Sequence, residues 1–193
     1  PGGGHRSPFP ITGGPGGEKN WKGELTFPEE TVRQMVKRVY EMGVPLNLHA
    51  NGDAAIDVFL KAHEFAAALD LTKDRHVTVI HSQFVRPDQL DKYVQYKVTP
   101  SLYTLHTYYF AEAHVANRGL AQASFISPMR AALDKGLHPT NHTDFVVAPL
   151  DRVVETHEPS RGIRDDVLVV GGDVEHHVVV ERVPDAELES YVK

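Results

Sequence analysis

The 193-residue chain contains no cysteine. That absence removes disulfide frameworks, thiolate nucleophiles, iron–sulfur clusters and cysteine zinc sites, so any metal must sit on histidine and carboxylate. Positive charge is also scarce. Twenty Lys and Arg against 26 Asp and Glu give a formal charge of −6, and no dense basic run offers the footprint of a nucleic-acid or anionic-membrane binder. No apolar stretch nears the roughly 18 residues of a membrane-spanning helix, and the start of the chain lacks the basic stretch and apolar core of a signal peptide. A soluble chain is expected, with the cytoplasm as the favoured location. An initiator methionine is missing too, so the natural N-terminus is expected to lie upstream.

What is present is an ordinary globular composition, 41% hydrophobic with 15 glycines, of a length that suits one domain of roughly 100 to 200 residues. Residues 1–17 hold seven Gly and four Pro, which punctuate rather than propagate regular structure, so residues 1–25 are expected as a loop. Within it, Gly13 to Asn20 has the glycines of a phosphate loop but neither its Lys-Ser/Thr ending nor a preceding apolar strand.

Regular patterning begins at Thr26-Phe27-Pro28-Glu29, a capping-box spacing followed by Val32, Met35, Val36 and Val39 on one helical face, with Gly43 as the stop. Val44 to His49 is a short apolar segment. A turn at Ala50-Asn51-Gly52 leads into a helix from Asp53 to about Leu69. His76 to His81 is a β-branched run suited to a strand buried on both faces. Pro87 opens a helix with Leu90, Tyr93 and Val94 on its apolar face, and Lys97 to Tyr103 offers a third strand. Thr104 to Phe125 reads as irregular. Ser127-Pro128 caps a helix carrying Met129, Ala132 and Leu133, Gly136 ends it, and Leu137 to Asp144 is a fourth extended segment. Strands alternating with helices imply right-handed crossovers and a parallel sheet, hence an α/β fold.

In such folds ligands bind beyond the carboxyl ends of the strands. The residues closing these four strands are His49, His81, Tyr103 and Asp144. Two imidazoles and a carboxylate could supply most of the coordination of a zinc-type cation. One histidine closing an apolar strand is more often a hydrogen-bonded structural residue. Two of them in consecutive units, together with an aspartate, favour a site.

The stretches Leu48-His49-Ala50-Asn51-Gly52-Asp53-Ala54-Ala55-Ile56, Arg75-His76 through His81, and Asn141-His142-Thr143-Asp144 resemble, in order and spacing, the second half of the amidohydrolase superfamily, in its amidohydrolase 3 branch. The resemblance spans about residues 11–151. It implies a partial TIM (β/α)8 barrel, about strands 5 to 8, with His49 and His81 as metal ligands ending the fifth and sixth strands. Asp144 would be the eighth-strand carboxylate that binds metal and takes a proton from the water the cation activates. The implied chemistry is hydrolysis of carbon–nitrogen, non-peptide amide-type bonds, with a divalent cation, zinc first and manganese or iron as alternatives.

Weaker candidates surround this set. Tyr103 and His106 follow the third strand, where a family member would contact substrate, although a tyrosine packed against the rim reads equally well. His142, two residues from Asp144, shares its side if the segment is extended. Asp53 reads as a helix N-cap, although the family pattern sets it beside the site. His76 opens its strand and so faces the opposite end. His176-His177 would alternate across a strand, which argues against a joint ligand role.

The chain also departs from the family. It has no His-x-His, the pair expected at the first barrel strand, and no counterpart to the fourth-strand acid or carboxylated lysine. Residues 26–151 therefore read as a partial hydrolase barrel, and residues 152–193 as an unassigned tail with a hairpin around Val167–Val170 and Val174–Val183 and a short helix from Pro184. A half barrel leaves parallel edges without partners, so self-association is expected. A small-molecule amide is the expected ligand. Two other readings stay open: a catalytically inactive truncated barrel acting as a binding or interaction module, and a metal-free α/β domain in which the three residues do not converge.

Overall fold

The computed structural model describes His5, Gly14, residues 16–145 and Val147, with the backbone of 167–169 and 180–182. The chain divides into two compact units, Pro1–Pro139 and Thr140–Lys193.

In the first unit, helix α1 spans Glu29–Met42. Its start carries no side-chain cap: Pro28 holds the N-cap position, and Glu29 and Glu30 complement the positive end of the helix instead. The capping box expected of Thr26 is thus not formed. Gly43 ends the helix in the left-handed region, φ 68°, donating its N–H to Tyr40 O, a conformation that costs glycine least. Only Val36 of the expected stripe is buried, and Met35 stays 52% exposed.

Three strands follow, β1 at Leu46–Ala50, β2 at Val77–His81 and β3 at Val98–Leu102. All pair in parallel, β1 to β2 with Ala50 opposite His81, and β2 to β3 with His81 opposite Leu102. Helix α2, Asp53–Ala66, makes the first crossover and α3, Pro87–Tyr96, the second. Val77, Val79 and Val98 pack against Ile56, Phe59 and Leu60 of α2 and Leu90 and Tyr93 of α3. This is the α/β arrangement with a parallel sheet that the alternating pattern implied. Val94, expected in the α3 stripe, is 45% exposed; Tyr96 is buried in its place.

The stretch expected to be irregular is instead three short helices: α4, His106–Tyr109; α5, Ala111–Arg118; and α6, Leu120–Ala123. Two of them have four residues each, too few for a 3.6-residue period to show. Helix α7, Met129–Asp134, starts without a side-chain cap: Pro128, not Ser127, holds the N-cap position, and the Ser127 hydroxyl donates to Tyr103 O.

In the second unit the extended segment is shorter than expected. Strand β4 is only Thr140–Asn141, and a turn follows in which Asp144 adopts φ 52° and its carbonyl accepts from Val147 N–H at 2.6 Å. Strands β5, Val167–Val169, and β6, Val180–Arg182, pair antiparallel. The residues between them, the helix expected from Pro184, and His176-His177 lie outside the described residues.

Candidate functional site

Parallel register has a consequence that strand ends alone conceal. His49 lies level with Ile80, and Ala50 with His81; because successive side chains alternate between faces, a regular β2 would send His81 to the face of Ala50, opposite that of His49. The alternation breaks at the end of β2. His81 and Ser82 are both left-handed, φ 71° and 45°, a conformation costing non-glycine residues about 1–3 kcal/mol and concentrated at functional sites. The Ser82 hydroxyl, fully buried, holds the turn by lying 3.2 Å from Val79 O and 3.1 Å from the Tyr93 hydroxyl. The two imidazoles consequently meet edge to face, ring centroids 4.6 Å apart. His49 is exposed and His81 buried.

Next to this pair lies a run of further rings. His106 is buried, its centroid 5.8 Å from that of His81 and 4.3 Å from that of Tyr103, itself fully buried. His114 follows at 6.0 Å from His106. Its Nε2 accepts from the Gln83 side-chain amide at 2.7 Å, and burial, then the Arg118 charge, lowers its pKa. The Phe84 ring is flanked by His5, His114 and the Arg118 guanidinium at 5.0, 5.5 and 5.4 Å. Burial also lowers the pKa of Arg118 and of His5, each countered by Asp53.

Asp53 is not the N-cap of α2; Gly52 is, and Asp53 is the first helical residue. Its carboxylate accepts from Arg86 Nη1 at 2.9 Å and lies 3.5 Å from His5 Nδ1. Arg86 also bonds Asp57 and Asp88, each at 2.9 Å, and these partners, outweighing desolvation, raise its pKa. His76 is exposed at the amino end of β2, beside Asp74.

His142 and Asp144 belong to the second unit, both part-buried. The left-handed turn at Asp144 ends the extended run, so strand alternation does not relate these two side chains. Sequence reasoning missed Gln83, Arg86, His114, Arg118 and Ser127. Ser127 has a visible signal, a serine before Pro-Met, but that pattern predicts a helix cap.

Imidazole nitrogen suits a borderline divalent cation. His49 and His81 therefore fit two of the three or four protein ligands that such a centre takes. No group of three His, Asp or Glu is gathered for a metal among the described residues. Beside the pair, Asn51 Oδ1 is buried without a hydrogen-bond partner among the described residues, a condition that calls for a contact from something else.

The amidohydrolase 3 model, described as the amidohydrolase family, matches residues 7–158. The chain belongs to the amidohydrolase family. Among solved structures, an uncharacterized metal-dependent hydrolase from Pyrococcus furiosus superposes with a TM-score of 0.56 at 25% identity, over 66% of this chain and 25% of that one. A second uncharacterized metal-dependent hydrolase, from Pyrococcus horikoshii OT3, gives 0.55 at 22% identity with the same coverage; at that identity the likeness speaks for the fold alone. This amidohydrolase chain thus spans a quarter of the length of either structure. No curated protein matches it.

Proposed function

We propose that the chain is part of a metal-dependent hydrolase acting on carbon–nitrogen bonds of non-peptide amides, and that it supplies barrel strands 5 to 8. The observation that carries this reading is the His49–His81 pair, brought to 4.6 Å by a strained turn in a family-matched segment. His49 and His81 would hold the cation, zinc by preference, and Asp144 keeps the role that the family resemblance implies for it, the metal-binding carboxylate of the eighth strand. A cation bound there would supply Lewis acidity and water of lowered pKa. By the same resemblance Asp144 would take the proton of the attacking water and return it to the leaving nitrogen. Tyr103 and His106 border the pair and contact the substrate, and His142 supports Asp144. The cytoplasm is the proposed location; among the described residues no helix is long and apolar enough to cross a membrane.

The test is metal loading. Protein incubated with Zn, Mn or Fe and then desalted should retain about one equivalent, and His49→Ala and His81→Ala should each lower retention at least tenfold, in line with the loss of a coordinating ligand. A wild-type chain that retains none overturns the reading. The second reading is an inactive barrel fragment that binds without turnover. Its signature is stoichiometric metal with no hydrolysis across panels of amides and esters.

A further inference from the structure

Ser127 is buried, and its own backbone is fixed by an N–H bond to Gln83 O at 2.9 Å and by a left-handed φ of 44°. Its side chain makes two contacts: Oγ lies 3.0 Å from Tyr103 O and 3.3 Å from His106 Nδ1. A carbonyl only accepts, and a serine hydroxyl has one proton. If that proton pointed at Nδ1, the hydroxyl and carbonyl oxygens would face each other at 3.0 Å with lone pairs opposed. If it points at Tyr103 O, both contacts become hydrogen bonds, provided that Nδ1 carries the ring proton. The second arrangement wins, because it leaves no buried polar contact of the hydroxyl unmade.

We propose that Ser127 is a positioning residue that fixes His106 in the Nδ1–H tautomer, next to the His49–His81 pair. The inference rests on the hydrolase reading for its purpose, the orientation of a ring that borders the proposed cation ligands. Its geometric half stands without that reading. His63 provides an internal contrast, since its Nε2 faces Leu71 O at 3.1 Å while its Nδ1 faces the Tyr40 hydroxyl at 2.7 Å. A carbonyl cannot donate, so His63 is the opposite tautomer, Nε2–H.

The experiment is long-range proton–nitrogen correlation on the full chain labelled with 15N-histidine, held well above the ordinary histidine pKa of about 6.5 so that the rings are neutral. His106 should give the Nδ1–H pattern and His63 the Nε2–H pattern. Ser127→Ala should move more than half of His106 to Nε2–H and leave His63 unchanged. Ser127→Gly, which accepts the positive φ without strain, should do the same and guards against misfolding of the alanine variant. Wild-type His106 found as Nε2–H, or as Nδ1–H in both variants, overturns the proposal. Metal retention is a separate readout, so failure of the hydrolase reading and failure of the tautomer lock are distinguishable.

Discussion

His63 shows how much one buried side chain can carry. It has no exposed surface, and it ties α1 to α2 and to the loop beyond through the Tyr40 hydroxyl and Leu71 O, while its ring stacks on Tyr96 at 4.6 Å. Burial is the leading cause of its lowered pKa, opposed by the Leu71 carbonyl and Glu64 and reinforced by Arg75. The same burial pushes Tyr40 up to about 12, so its hydroxyl remains a donor. The neutral ring is therefore the one the fold accepts. With a folded pKa below the unfolded value of about 6.5, the unfolded chain binds more protons as pH falls. Stability is then fully present above about pH 6.5 and declines below it. His5 and His114 are lowered as well and add in the same direction. Urea unfolding between about pH 8 and pH 5 should show that decline, and His63→Gln should cost about 1–2 kcal/mol at pH 8 while making the decline shallower. An unchanged slope would remove His63 from the explanation. None of this was legible in the sequence, where His63 stands among the apolar residues of α2 and its hydroxyl partner is 23 residues away.

At the scale of elements, strands and helices were readable where burial imposes a period. The β-branched run of β2 alternates buried and part-buried residues, and the α2 stripe sits in the core. Legibility ended where apolar residues stay outside, as in the helices after β3, whose Tyr108 and Leu120 are 65% and 70% exposed. It ended too at the join between α2 and α3. There Arg86 receives Asp53 and Asp57, side chains only 14% and 17% exposed, and Gln89 donates to Asp53 O at 2.7 Å and Asp57 Oδ1 at 2.9 Å. The expected cap role of Asp53 gave way to this staple, because a guanidinium from another element satisfies the carboxylate better than the helix's own N–H groups do. Arg86→Met should leave two part-buried carboxylates without their cation, lowering unfolding stability by about 2–4 kcal/mol. Asp53→Asn in that background should recover part of the loss. If Arg86→Met costs under about 0.5 kcal/mol, the network is only a surface pair.

For the whole molecule, the open question is what covers β1. Within the first unit β1 pairs with β2 alone among the described residues, and from Leu46 to His49 its residues alternate part-buried and exposed where those of β2 are buried or part-buried. A parallel edge of this kind presents unpaired N–H and C=O groups that template association. Elsewhere in this unit Met35, Met42 and Leu69 are 52%, 58% and 104% exposed. The net charge of −6 opposes association only at long range and is screened within about 8 Å at physiological salt. The proposed partner is a second copy of the chain, paired along β1. Sedimentation velocity over a hundredfold range of about 1 to 100 μM, concentrations at which exposed strand edges associate, should show mass rising with concentration. Asn47→Lys, at an exposed position of β1, should return the chain to monomer by setting like charges against each other at the paired edges. A wild-type chain that stays monomeric throughout, or a lysine variant that associates equally well, would place the contact elsewhere or deny it.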